Sequence, residues 1–556
     1  MFFELKKNIW FFTTFISYWK VAKFPSNLIG DVSITMDGQL YMSFEGIRYA
    51  QPAIDDLRFK DPVPINEMVY LKKRVECLER DPSTSELVGE EDCLVLNVYT
   101  PVQFEHRVFP VLVWIHGTPF RAGSSQQGRY GPQRLIDQNL VVVTMSYRLG
   151  PLGFASLGHK ELSGNFGLKD QQLAIKWVLK NIDRFGGDAA MVTLGGEGLG
   201  AAFVQYHMSG EISRNISRAI TIGGSWLAPW AFSTTARVKK ETERLANLLD
   251  CSTCNGTVTI SEPIRVLHNV RSKEGVVHGT VEQSAYRTGL VSCEQATASC
   301  MRSLDPKLIV KKAYDMPQIL PWDKVILPFL PTVDGDVLTN DPWIKRNSVH
   351  KYSLLMGLTK SEGSIIKSIG VIQDWNEQAL KSAFDTFING GVVRGRRFPK
   401  DTPGLQDKVA TLYQGEDVKD QLADLVTDSW FMFPAMIDAM YNRGRVEVFM
   451  FAFDNQNSQM GCTLPRQTNQ QSHGDQMPFM FLIEKCSFFK PNELYARNFS
   501  AMIANFVYQR DPGLKPYWED KNLFTIRNAI YKPSFFQGID DKLSRRLEHW
   551  KALNLL

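Results

Sequence analysis

Blocks of like charge are missing from this sequence. Its 63 lysines and arginines are set against 59 acidic residues, a formal net charge of +4 over 556 residues, and basic clusters are short strings such as Lys72-Lys73-Arg74 and Lys311-Lys312. A nucleic-acid partner needs a basic stripe, so none is expected. Histidine is scarce, nine in all, and no Cys/His spacing matches a zinc site, so neither a metal nor any other cofactor is expected. Beyond the first residues no apolar run reaches the roughly 20 residues that a helix needs to cross a bilayer. The tail Leu547 to Leu556, with Glu548, His549 and Lys551, reads as ordinary helix, so no C-terminal membrane anchor is expected. Repeats, low-complexity tracts and Gly/Ser linkers are also absent, and residues 25–556 are read as one domain.

What is present is the material for a large core, 44% hydrophobic with 11% aromatic residues. Lys6 and Lys7 precede the apolar run Ile9 to Trp19, which fits a signal-peptide core within residues 1–24. Tyr18-Trp19-Lys20 stands where small residues would mark a cleavage site, so a signal peptide and an apolar N-terminal segment both remain open. Eight cysteines, an even set, and Asn-x-Ser/Thr sequons at Asn215, Asn255 and Asn498 favour a secreted, extracellular glycoprotein.

Val108 to Ile115 and Leu140 to Tyr147 are near-continuous apolar runs, the signature of strands buried on both faces of a parallel sheet. From Asn165 to Phe185, Leu168, Ile175, Val178, Leu179, Ile182 and Phe185 recur at helical spacing before Gly186-Gly187. The same reading gives a strand at Ala190 to Leu194, a glycine-rich turn at Gly195 to Gly200, a helix at Ala201 to Met208 and a strand at Ala219 to Ile222. Alternating strands and helices predict an α/β fold with a mostly parallel sheet covered on both faces. Residues 255–292 turn polar and lose any sustained period, which predicts a surface excursion and a candidate contact for a partner.

Several strings carry a family resemblance. They are Phe44-Glu45-Gly46-Ile47-Arg48-Tyr49-Ala50, Glu91-Asp92-Cys93-Leu94-Val95-Leu96-Asn97-Val98-Tyr99-Thr100-Pro101, Tyr147-Arg148-Leu149-Gly150-Pro151-Leu152-Gly153-Phe154, and Gly164-Asn165-Phe166-Gly167-Leu168-Lys169-Asp170-Gln171. In this order they resemble the type-B carboxylesterase and cholinesterase family, which implies the α/β-hydrolase fold. The resemblance implies disulfides Cys77 with Cys93 and Cys251 with Cys300; Cys254 with Cys293 and Cys462 with Cys486 are our assignment for the rest.

Ester hydrolysis on that fold uses a serine on a sharp G-x-S-x-G elbow between a strand and a helix. Here the window is Gly196-Glu197-Gly198-Leu199-Gly200, with glycine at the centre. A glycine cannot form an acyl-enzyme, so the covalent route is lost. By resemblance Glu362, in Ser361-Glu362-Gly363-Ser364, is the acid of the triad and His473, in Ser472-His473-Gly474-Asp475, its base. The family's oxyanion hole, built from N–H groups of His-Gly-Gly-Gly and of the residue after the serine, falls on Gly117, Thr118, Pro119 and Leu199. Pro119 has no N–H to donate. Two lesions far apart in sequence predict an esterase-like protein that hydrolyses no esters, resembling in this the adhesion proteins neurotactin, glutactin and the neuroligins. Its expected partner is a protein or a small apolar ligand in the former active-site gorge; the alternative is an enzyme working through His473 and Glu362 alone. No tryptophan lies between Cys77 and Cys93, so a choline-stacking ring is not expected.

Overall fold

The computed structural model describes residues 28–546, except 82–83, 103–106, 118–122, 252–256, 267–270, 273–274, 277–282, 317–327, 345–349, 369–377, 379–410, 414–416, 443–445, 455–470, 485–489, 514–523, 528–535 and 538–544. Eleven strands form one sheet. They are β1 (Asp31–Ile34), β2 (Leu40–Arg48), β3 (Val95–Pro101), β4 (Phe109–Ile115), β5 (Val141–Met145), β6 (Gly187–Glu197), β7 (Arg218–Ile222), β8 (Tyr352–Thr359), β9 (Val446–Asp454), β10 (Phe524–Arg527) and β11 (Phe536–Gln537). The spatial order is β1-β2-β3-β5-β4-β6-β7-β8-β9-β10-β11. From β5 to β10 every pairing is parallel, and the two edges are antiparallel.

Burial of both faces explains why the central strands read as unbroken apolar runs. In β4, Val111, Val113 and Ile115 enter one core while Leu112 and Trp114 enter the other. The first core takes Phe166, Leu168, Ile175 and Val178 of helix α1 (Phe166–Asn181) and Phe203 and Tyr206 of α2 (Leu199–Ser209). Across the sheet, Tyr495, Phe499, Ile503 and Phe506 of α3 (Lys490–Gln509) fill the second.

Two expectations need correction. The strand expected at Ala190 to Leu194 runs from Gly187 to Glu197, because Gly195 pairs with Trp114 and Ile220, and Gly196 with Ile115 and Thr221. The glycine-rich turn therefore shrinks to Gly198. The excursion at 255–292 contains an antiparallel ribbon, Thr257–Val266 against Gln283–Ser292, where the sequence showed no period. Pro263 and Gly289, both depleted in strands, interrupt the pattern that would have announced it.

Disulfides join Cys77 to Cys93 and Cys251 to Cys300, as the resemblance implied. Cys293 is also disulfide-bonded. Cys254, Cys462, Cys486 and the sequon at Asn255 lie outside the described residues, while Asn215 and Asn498 are exposed.

The loop after β5 is tied to α1 by a buried ion pair. Arg148 donates to Asp170 from Nε (2.8 Å) and Nη2 (2.7 Å), and the Arg148 backbone amide adds a third bond at 3.1 Å. Removing one partner of such a pair strands a buried charge, at about 3–5 kcal/mol. Asp170→Ala should lower urea-unfolding stability by that amount with an unchanged m-value. A loss below about 1 kcal/mol would show that the pair is not what fixes this loop.

Candidate functional site

Strand β6 ends at Glu197, the chain turns at Gly198, and α2 begins at Leu199. Gly198 has φ 55° and ψ −120°, a conformation that any side chain would strain. Its N–H donates to the Ile222 carbonyl at 2.8 Å, and its own carbonyl accepts from Ala201 at 3.1 Å. Close packing explains the flanking glycines. A Cβ on Gly200 would stand 2.1 Å from the Ile115 oxygen, and one on Gly117 would stand 2.0 Å from the Gly200 nitrogen and 2.1 Å from the Glu197 oxygen. A Cβ on Gly196 would meet the Gly200 carbonyl group at 2.5 Å. The Leu199 and Gly200 amides open α2, where helical geometry leaves N–H groups without an intrahelical acceptor.

His473 reaches this turn from the far end of the chain. Its Nδ1 lies 2.6 Å from Glu362 Oε2, and Glu362 Oε1 accepts from the Thr359 amide at 2.6 Å. Both side chains are buried, 3% and 0% exposed. His473 Nε2 stands 3.1 Å from where a Cβ on Gly198 would be, and it makes no hydrogen bond among the described residues. Gly198, His473 and Glu362 therefore converge. Gly117, Leu199, Gly196, Glu197 and Gly200 surround them, whereas Thr118 and Pro119 lie outside the described residues.

Burial sets the electrostatics. It pulls the His473 imidazolium down, but the charge and hydrogen bond of Glu362, then Glu197 and Asp475, raise it more, and the balance lies above the ordinary histidine value. Burial pushes Glu197 up to about 7, against the opposing charge of His473. His116 is held down to about 3 by burial, with Arg129 adding to it. The His116 ring stacks on Tyr147 at 4.4 Å, and the Tyr147 hydroxyl donates to the His116 carbonyl at 2.5 Å.

Sequence reasoning missed several neighbours. Gly223, at φ 60°, lets His473 approach, since a Cβ there would meet His473 Cε1 at 2.8 Å; the Gly223-Gly224 doublet after β7 was the available signal. Phe431 packs on His473 with ring centroids 5.1 Å apart, and Trp230 on Phe431 at 5.6 Å. Phe431 rides on a π-helical turn, Thr427–Met432, a local irregularity common at functional sites and invisible to a 3.6-residue pattern. Glu79, which accepts from the Gly123 amide, gave no sequence signal at all.

A mostly parallel sheet between helical layers, a strand-turn-helix elbow and a His–Glu pair facing it define an α/β-hydrolase. The chain belongs to the Carboxylesterase family, whose model matches residues 26–523. It is 35% identical to the venom carboxylesterase-6 of Apis mellifera over 262 residues, 45% of this chain and 46% of that protein. It is 39% identical to esterase E4 of Myzus persicae over 257 residues, 44% and 46% of the two chains. The match to the cholinesterase of Mus musculus is weaker but longer, 28% over 518 residues, 86% of this chain and 77% of that one. The chain thus matches about half the length of the two insect relatives and about three quarters of the cholinesterase.

Two measurements probe the site without a ligand. Gly198→Ala must hold φ 55° with its Cβ 2.9 Å from the Gly117 oxygen, so it should lose at least about 1–3 kcal/mol of backbone strain. A variant as stable as the parent would mean the elbow relaxes freely. Burial raises Glu79 to about 8, well above its unfolded value, so its contribution to stability is full below about pH 4.5 and lost as pH rises through about 8. Glu79→Gln should flatten the pH–stability curve across that window; an unchanged slope would assign the fall to other groups.

Proposed function

We propose that this protein is a carboxylesterase-like binding protein that holds a small apolar ligand beside the elbow and does not cleave esters through an acyl-enzyme. The observation that carries the reading is the bare backbone at Gly198: the elbow conformation is kept, and His473 Nε2 faces it with no side chain between to activate. Phe431, buried against His473, and Trp230, buried against Phe431, make the wall behind the histidine apolar, which suits an apolar ligand in front of it. We further propose an extracellular location. Two disulfides and exposed sequons at Asn215 and Asn498 support it, and no helix among the described residues is long and apolar enough to cross a membrane. The 255–292 excursion is our candidate for a protein contact.

The intact dyad supports a second reading, in which His473 draws a proton from water attacking a bound ester. Ester turnover that disappears in His473→Ala would establish it. Under the first reading, a fluorophosphonate leaves the protein unlabelled, and stoichiometric labelling of any serine sinks that reading.

Gly198→Ser should not restore a normal esterase. The new Cβ would sit 2.9 Å from the Gly117 oxygen and 3.1 Å from His473 Nε2, so both must shift before a hydroxyl can be activated. Pro119 also removes an oxyanion donor, which costs about 10²-fold in rate. The triple variant Gly198→Ser, Thr118→Gly, Pro119→Gly should exceed the single variant in kcat/KM for a p-nitrophenyl ester by at least about that factor. Equal rates would clear Pro119 of any role.

A further inference from the structure

The helix Val418–Val426 runs into the π-helical turn Thr427–Met432, and this stretch of backbone reaches both members of the buried pair. On the acid side, the Gly363 amide next to Glu362 donates to Thr427 Oγ1 at 2.9 Å. Gly363 lies so close that a Cβ there would stand 2.0 Å from the Ala423 oxygen and 2.6 Å from the Thr427 nitrogen. Lys367, shortly after Glu362, pairs with Asp420 on the same helix. On the base side, the turn carries Phe431, whose ring packs on His473 at 5.1 Å. A displacement of the turn is therefore felt by Glu362 and His473 together.

What holds the turn comes from elsewhere in the chain. Asp424 and Asp428 occupy i and i+4 positions, where like charges repel, and Asp428 is fully buried. Arg546, 118 residues beyond Asp428 and itself buried, spans the two. Its Nε donates to Asp428 Oδ2 at 2.8 Å, its Nη2 to Asp428 Oδ1 at 3.2 Å and its Nη1 to Asp424 Oδ2 at 2.7 Å. The Tyr413 hydroxyl adds a bond to Asp428 Oδ2 at 2.8 Å. A rigid guanidinium fork can meet two carboxylates at fixed angles, which a lysine ammonium, a point charge on a flexible stem, does not. A buried ion pair is weak evidence for stability, but this one sits where it decides the position of the turn. We propose that Arg546 is a positioning residue for the Glu362–His473 pair: by clamping Asp424 and Asp428 it fixes the π-helical turn, and Thr427 and Phe431 pass that position on to the acid and the base. The role needs no ligand and holds whether the site binds its occupant or turns it over.

The test follows the His473 imidazole through its titration by NMR of histidine-labelled protein, with the resonance assigned by its loss in His473→Gln. Burial lowers this histidine, and Glu362, then Glu197 and Asp475, raise it, so a loosened Glu362 contact should lower its value. Arg546→Lys, which keeps the charge and loses the fork, should lower it by about 0.5 pH unit or more, a fraction of what a contacting opposite charge supplies. Thr427→Val, which removes the acceptor for the Gly363 amide and leaves the ion cluster in place, should shift it the same way. Arg546→Met should do so too; an arginine acting only by long-range charge would instead give a rise in Arg546→Met and no change in Arg546→Lys. Asp170→Ala breaks a different buried ion pair, on α1, and should leave the titration within about 0.2 pH unit, as expected for a distant site. Melting curves establish that each variant is folded, and if Arg546→Met does not fold, Arg546→Lys and Thr427→Val decide. An unchanged His473 in either of those two, a rise in Arg546→Met, or an equal shift in Asp170→Ala overturns the positioning role.

Discussion

Everything at the site hangs on one crossing of backbones. The end of β4, the first residues of the loop after it, the end of β6 and the first turn of α2 meet so closely that Gly117, Gly196 and Gly200 have room for no side chain. The parallel register of Ile115 with Gly196 brings these segments together, and both cores of the sheet hold the register. The bond from Gly198 to the Ile222 carbonyl fixes the turn from the third side. Its conformation is thus over-determined by neighbours, which is the circumstance in which a strained turn persists. Glycine at 198 makes that persistence cheap.

Charge around the crossing follows from burial in the same way. Glu197, Glu362, His116 and His473 are all buried, and each is shifted or fixed by its surroundings. Burial pulls His473 down and Glu362 raises it above the ordinary histidine value, while burial raises Glu197 against the charge of His473, the Tyr130 hydrogen bond and the charge of Arg129.

The central sheet was legible because its strands are buried on both faces, so Val111 to Ile115 and Val141 to Met145 carry their burial as continuous apolar sequence. Gly198, Glu362 and His473 were legible through a family resemblance alone; nothing in spacing could have joined a glutamate to a histidine 111 residues later. Strand β6 was read short because glycines inside it look like a turn, while the pairing that keeps them extended comes from two neighbouring strands. Phe431, Trp230 and Glu79 were not legible at all. Each matters through a tertiary contact with residues distant in the chain.

Persistence of the Glu362–His473 pair invites the inference that something still uses it catalytically, but burial supplies a sufficient cause. Glu362 is fully buried and satisfied by two donors, the Thr359 amide and His473 Nδ1. Replacing the histidine by an apolar residue would leave a buried carboxylate with one donor, a loss of order 3–5 kcal/mol out of a total stability of only about 5–15. Replacing the glutamate would strand an imidazole that makes no hydrogen bond at Nε2 among the described residues. Either single substitution is far more costly than keeping both, whereas the serine position carries no such penalty, since glycine relieves strain there instead of creating a void. Stability alone is thus a sufficient cause for a buried Glu362–His473 pair beside a glycine elbow, and measured turnover through His473 would assign the pair a chemical role.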